Sequence, residues 1–155
     1  MDFQDFARRY LAPPVEVGFN STTLGNASIL DSPMNTLDQI RLIRTAWYTP
    51  QMDERYDFAD RNKKNMTVGE VADNRSLVPT HVDRINAWVE RIKAGESVPL
   101  IAPAYALPNG EFFLLDGNHR LVAAVIAGKS PVLLHVVQGP VSRAIVPDLW
   151  RWEAE

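Results

Sequence analysis

The apolar run Phe112-Phe113-Leu114-Leu115 stops at Asp116-Gly117-Asn118 and passes directly into Leu121-Val122-Ala123-Ala124, a stretch of apolar and small residues. This strand–turn–helix junction limits the possible folds more than any other feature of the chain. Four consecutive apolar residues without alternation predict a strand covered on both faces. Pro108-Asn109-Gly110 is a turn signal, so Glu111 to Leu115 is expected to run back as the hairpin partner of an extended stretch from Val98 to Leu107, which Pro103 interrupts. After the junction, Leu121 to Ala127 predicts a compact helix in which Ala123 and Ala124 permit close packing and Gly128 is the stop. Lys129-Ser130-Pro131 then reads as a turn and Val132 to Val137 as another strand.

Upstream, a strong helix is expected from His81 to Ala94, with Thr80 as its cap, Val82, Ile85, Trp88, Val89 and Ile92 as its apolar stripe and Gly95 as its end. Thr67 to Asn74 reads as a short helix or turn. A further helix is expected from Thr36 to Tyr48, where Leu37, Ile40, Ile43 and Trp47 recur at helical spacing before Pro50. Asp2 to Leu11 reads as a short helix with Phe3, Phe6, Tyr10 and Leu11 on one face, ended by Pro13-Pro14. Residues from Gly18 to Asn35 have the composition of a loop, and the charge-dense stretch from Gln51 to Asn65 that of a solvated connection. The order helix, hairpin, helix, strand indicates an α+β (mixed α/β) domain. The 155 residues fit a single domain, read as an N-terminal extension (1–61), a core (62–140) and a C-terminal tail (141–155) in which Trp150 and Trp152 are available to close over the core.

Composition narrows the function. Hydrophobic residues make up 46% and charged residues 23%, as in ordinary globular proteins. A formal charge of -3 gives no long-range attraction for a polyphosphate backbone, so broad coating of nucleic acid is not expected. The absence of cysteine excludes disulfides, a thiolate zinc site and a cysteine nucleophile. No apolar run approaches the roughly 20 residues needed to cross a bilayer, and the acidic start Met1-Asp2-Phe3-Gln4-Asp5 lacks the order of an export signal, so no membrane partner and a cytoplasmic location are expected. The histidines show no metal-site spacing: His81 reads as an exposed first-turn residue and His135 as a sheet histidine with its hydrogen bonds satisfied. The basic cluster Arg61 to Lys64 reads as a solvated face.

The chemistry concentrates at residues 116 to 120. A strand that ends in Asp-Gly and opens into a helix can bind anions, because the first helical turn leaves backbone N–H groups without partners and its dipole favours negative charge. Gly117 lets a phosphate approach the backbone. Arg120 supplies a permanently charged forked donor. His119 can donate a hydrogen bond or move a proton near neutral pH, and Asn118 either fills the tight turn or contacts the ligand. Asp116 has three readings that the sequence leaves open: a Mg²⁺ ligand, a general base for a hydroxyl acceptor, or a plain helix cap.

The run Leu114-Leu115-Asp116-Gly117-Asn118-His119-Arg120-Leu121-Val122-Ala123-Ala124 closely resembles the signature of the ParB/sulfiredoxin superfamily, and the strand pair before it and Gly128-Lys129-Ser130-Pro131-Val132 after it are also similar to that fold. The resemblance covers roughly residues 66 to 140. It implies a small mixed sheet with flanking helices and a nucleotide handled at the turn. Sulfiredoxins use a Gly-Cys-His-Arg turn on ATP, free serine kinases of the superfamily an Asp-Gly-His-His-Arg-like turn, and partition proteins bind CTP through a Gly-Glu-Arg-Arg turn. Carried over, Gly117, His119 and Arg120 match the phosphate-binding positions. Asn118 stands where sulfiredoxin has its catalytic cysteine, which rules that activity out. Partition function fits poorly, since His119 replaces an arginine and the 35 residues after the motif are too few for the further domains such proteins carry. Glu70 and Asp73 lie where this fold often brings a second acidic or polar group towards the nucleotide, against a plain reading as helix-surface charges; Arg75 is a candidate further phosphate ligand.

The leading expectation is therefore a nucleotide-binding protein that takes ATP or another nucleoside triphosphate with Mg²⁺ and either hydrolyses it or transfers its phosphoryl group to a small hydroxyl acceptor. Its catalytic candidates are Asp116 and His119, its phosphate-binding candidates Gly117, Asn118, His119 and Arg120, and its metal candidate Asp116. Two alternatives stand beside it: a ParB-like DNA-binding or nuclease accessory protein, and an interaction module without turnover.

Overall fold

The structure, a computed structural model, describes residues 28–47, 65–73 and 79–138. The readings made for Asp2 to Leu11, Arg61 to Lys64, Arg75 and the tryptophan-bearing tail lie outside the described residues, as does most of the charge-dense connection.

Among the described residues, four strands and four helices follow the order β1 (Ser28–Met34), α1 (Leu37–Arg41), α2 (Val68–Asp73), α3 (Pro79–Lys93), β2 (Ile101–Ala106), β3 (Phe112–Leu114), α4 (Asn118–Ala127) and β4 (Val132–Gln138). The strands form one sheet in the order β1-β4-β2-β3. β1 pairs antiparallel with β4, β4 parallel with β2, and β2 antiparallel with β3. The parallel pair needs a crossover, which α4 supplies. The α+β class and the small mixed sheet are as the sequence indicates.

The hairpin forms as its turn residues require. Gly110 adopts φ 86°, the Gly110 N–H donates to the Leu107 carbonyl and the Leu107 N–H to the Glu111 carbonyl. Pro103 lies inside β2 rather than interrupting it. The Leu115 N–H donates to the Pro103 carbonyl at 3.0 Å, but the return bond of that rung needs an N–H that proline lacks. The ladder accordingly ends at Leu114, one residue before the chain turns away at Asp116.

Two expectations are corrected. Gly18 to Asn35 is not loop throughout, because Ser28–Met34 is an edge strand of the described sheet; its exposed residues Ser28, Leu30, Asp31 and Pro33 fall on both faces, so no apolar run marks it. The helix expected over Thr36 to Tyr48 ends at Arg41. Thr36 and Gln39 close a capping box around its start, and Leu42 to Trp47 then runs extended, burying Ile43, Thr45 and Trp47 at every second residue. The segment is held on both sides: Arg44 exchanges backbone bonds with Phe112 and Leu114, while Ile43, Thr45 and Trp47 bond the chain at 66–68. It thereby covers the outer edge of β3.

α3 begins at Pro79, so Thr80 lies within the helix and is not its cap. Ile85 and Val89 point into the core with Leu121, Val122, Ala123 and Ala124 of α4, and α4 also packs on α2. The two alanines are fully buried, and their small size brings the helices close. This packing sets the start of α4 beside the start of α3.

Candidate functional site

The junction at 116–120 forms as a strand end feeding a helix, with Gly117 as the residue before the first turn of α4 at φ 80° and ψ 18°. That left-handed conformation suits glycine. It also corrects one reading of Asp116, which is not the helix cap; its Oδ1 accepts the N–H of Gly117 at 2.7 Å, and among the described residues no side chain caps α4. The first intrahelical bond runs from the Leu121 N–H to the Gly117 carbonyl, so the amides of Asn118, His119 and Arg120 precede any helical acceptor. Asp116 itself is exposed.

The Arg120 guanidinium folds back over the bare side of Gly117. A Cβ built on Gly117 would lie 3.1 Å from Arg120 Nη2 and 3.3 Å from the Ala102 Cβ. Arg120 Nη1 donates to the Pro99 carbonyl at 3.1 Å, and the guanidinium lies 5.8 Å from the centre of the Trp88 ring. The cation is thus held at the uncapped helix start, half-exposed.

Asn118 has a structural task, since its Oδ1 accepts the N–H of Ala46 at 3.0 Å and ties α4 to the 42–47 segment. His119 is turned towards α3, where its Nε2 lies 2.9 Å from Nδ1 of His81. Trp47 packs against both imidazoles, with ring centres 5.3 Å from His81 and 5.1 Å from His119. Burial lowers the pKa of His119 from 6.5 to about 4, helped by the nearby charges of His81 and Arg84 and opposed by Asp116. In the free protein His119 is therefore a neutral hydrogen-bonding group at pH 7.

His81 is not the exposed first-turn residue that its position suggested; it is half-buried and bonded to His119. Nothing local in the sequence announces this partnership, which joins residues 38 positions apart. Arg84, one turn further along α3, and Trp47 are the other members of the site that sequence reasoning did not single out. His135 is a sheet histidine, buried, with Nδ1 2.6 Å from Asp31 Oδ1.

The upstream acids lie elsewhere. Glu70 closes a capping box with Thr67, accepting from its backbone N–H and hydroxyl, while the Thr67 hydroxyl accepts the Glu70 N–H. Asp73 pairs with Arg41. Among the described residues, neither bonds to residues 116–120, and Arg75 lies outside the described residues. Among the described residues, no group of three or more His, Asp or Glu side chains is arranged to hold a metal. A divalent cation that takes most of its ligands from phosphate and water needs only one or two carboxylates, and the exposed Asp116, with one oxygen engaged by the Gly117 amide, fits that lesser demand.

The fold and the site together define an α+β domain in which a histidine pair joins α3 to the start of α4, with Arg84 near the pair and Arg120 over Gly117. No protein-family model matches the chain, and no curated protein or solved structure matches it either. Among the described residues, no helix is long and apolar enough to cross a membrane.

Proposed function

We propose that this chain is a ParB/sulfiredoxin-type nucleotide-binding protein that holds the phosphates of ATP or another nucleoside triphosphate at the start of α4, and hydrolyses the nucleotide or transfers its phosphoryl group to a small hydroxyl acceptor. The observation that carries the reading is the uncapped first turn of α4 with the Arg120 guanidinium lying over Gly117. Backbone amides and a planar guanidinium are the donors a phosphoryl group requires, and Arg120 is half-exposed beside the helix start.

In this reading Arg120 and the amides of residues 118–120 bind and orient the phosphate. His119 adds a neutral hydrogen bond, and Asn118 fixes the helix start through Ala46. Asp116 is the residue that would hold Mg²⁺, which when bound neutralises phosphate charge; the same exposed carboxylate is placed to accept a proton from a hydroxyl acceptor. A cytoplasmic location goes with such a substrate.

Isothermal titration of the folded protein with ATP, CTP and GTP in the presence of Mg²⁺ tests the proposal. Saturable binding of at least one is expected. A folded protein that binds none of them at about millimolar concentration, where even a weak site of about 4 kcal/mol would register, overturns it. Steeply salt-dependent binding of DNA without affinity for free nucleotide would favour the DNA-binding alternative instead.

A further inference from the structure

We propose that His81 is a positioning residue for His119, and that the two act as one proton-accepting pair, so that the site takes up a phosphoryl dianion together with a proton. This rests on the reading of the α4 start as a phosphate site, and adds to it the charge form of the ligand and a partner on a different helix.

The argument begins with the 2.9 Å contact between His81 Nδ1 and His119 Nε2. One nitrogen donates and the other accepts, so the pair cannot hold a proton on both facing atoms. With Nε2 engaged by His81, Nδ1 is the nitrogen of His119 that can meet a ligand. When His81 is the donor, His119 must carry its own proton on Nδ1 and presents a donor outward. Trp47 packs against both rings and limits their rotation. The contact thus fixes the orientation of His119 and ties its tautomer to that of His81.

The charges around the pair decide when it takes a proton. From α3 it meets Arg84, from the turn Asp116, and on its own helix Arg120 follows; the 42–47 segment contributes the uncharged Trp47. On the α2 side, Glu70 is engaged by Thr67 and Asp73 by Arg41. Burial, with the charges of His81 and Arg84 behind it, holds His119 of the empty site neutral against the pull of the exposed Asp116 carboxylate. A phosphoryl dianion at Arg120 reverses that balance. An added proton then leaves His119 with an N–H on each nitrogen, turning Nδ1 into a charge-assisted donor while His81 Nδ1 accepts from Nε2. The proton comes from the buffer: His81 Nε2 gains an N–H bond as the shared proton passes from His81 Nδ1 to His119 Nε2, and no bond between heavy atoms forms or breaks.

Isothermal titration with Mg²⁺–ATP at about pH 6.5, in two buffers of different ionisation enthalpy, measures protons taken up per ligand; that pH lies where imidazole charges. The control is His81→Gln, which keeps a hydrogen-bonding side chain but does not titrate. The ligand's own ionisation enters both titrations equally, so the difference reports the pair. Wild type is expected to take up roughly half to one proton more than the variant, and to lose affinity by up to about tenfold per pH unit above the pKa of the bound pair. Equal uptake by two proteins that both bind ATP overturns the inference and leaves the proposed function standing. Absence of binding in wild type removes both. Should His81→Gln fail to fold, NMR titration of the His119 ring in wild type decides: its pKa must rise when Mg²⁺–ATP is added, and an unchanged value overturns the pairing.

Discussion

The carboxamide oxygen of Asn118 accepts the backbone N–H of Ala46 at 3.0 Å, joining the first turn of α4 to the extended segment that carries Trp47. Two parts of the chain that build the site are therefore fastened by one side chain, and its acceptor oxygen is what matters. Asn118→Ala leaves a half-buried N–H without its partner and is expected to cost about 1–2 kcal/mol in urea unfolding. Asn118→Asp keeps an acceptor in the same place and should stay within about 1 kcal/mol of wild type. Equal losses in the two variants would mean that the bond contributes nothing to stability.

Gly117 meets two constraints at once: φ is 80°, and the space a Cβ would fill is occupied by the Arg120 guanidinium and the Ala102 methyl. The arginine can swing away, but the left-handed backbone and the buried alanine cannot readily give. Gly117→Ala is expected to destabilise by about 1–2 kcal/mol, and to weaken nucleotide binding further by displacing Arg120. Comparing unfolding midpoints with titrated affinities in this one variant separates the two effects.

Arg120 differs from an ordinary surface cation because its fork is fixed by the Pro99 carbonyl over the helix start. Arg120→Ala is expected to lower nucleotide affinity by about ten- to a hundredfold, as for loss of a charge-assisted hydrogen bond of about 1.5–3 kcal/mol. Arg120→Lys keeps the charge without the planar fork and should recover only part of that loss. Full recovery would show that the position supplies charge alone.

The hairpin, the 116–120 turn, α4 and β4 were legible because each carries a local signal: Asn109-Gly110 for the turn, four apolar residues for β3, and Gly117 and Gly128 bracketing the helix. β1 was not legible. It is an edge strand whose pairing with β4 gives its polar residues their place, and no run of apolar residues reports that. The end of α1 was misplaced for another reason, since Ile40, Ile43 and Trp47 are buried as a helical stripe would be, yet Ile43, Thr45 and Trp47 also fit an extended chain. Only the backbone partners at 66–68 and 112–114 decide between the two. In the site, the reading of Gly117 and Arg120 as anion-binding groups comes from residue type. The roles of His81, Arg84 and Trp47 do not, because they depend on how α3 and the 42–47 segment pack against α4.

Arg44 and Arg41 offer a direct contrast between buried and exposed ion pairs. The Arg44 side chain is 17% exposed, bonded to Glu111 and to the Asn65 carbonyl, whereas Arg41 and Asp73 are 36% and 65% exposed. Arg44→Ala takes the cation from the partly buried Glu111 carboxylate, which keeps its bond from Asn109, and the guanidinium donor from the Asn65 carbonyl, and is expected to cost about 1–3 kcal/mol. Arg41→Ala should cost about 0–1 kcal/mol. Chemical denaturation of both variants checks the ranking, which reverses if the 42–47 segment is not held through Arg44.

The pKa of His119 makes stability depend on pH in a definite direction. In the unfolded chain the imidazole charges near 6.5, and in the folded protein only near about 4, chiefly because burial disfavours the cation. Above the unfolded value both states are neutral and the residue contributes no pH dependence. Between the two values the unfolded chain binds a proton that the folded protein does not, so stability falls as the pH is lowered through that window and levels off below it. The full shift corresponds to about 3 kcal/mol, and screening of this half-buried group reduces the expected loss to about 1–2 kcal/mol. His119→Gln cannot titrate, and its unfolding free energy should be flatter by that amount across the same window. Measurement of urea unfolding from about pH 7 to about pH 4 in both proteins tests this, and parallel curves would show that His119 takes its proton as readily in the folded protein as in the unfolded chain.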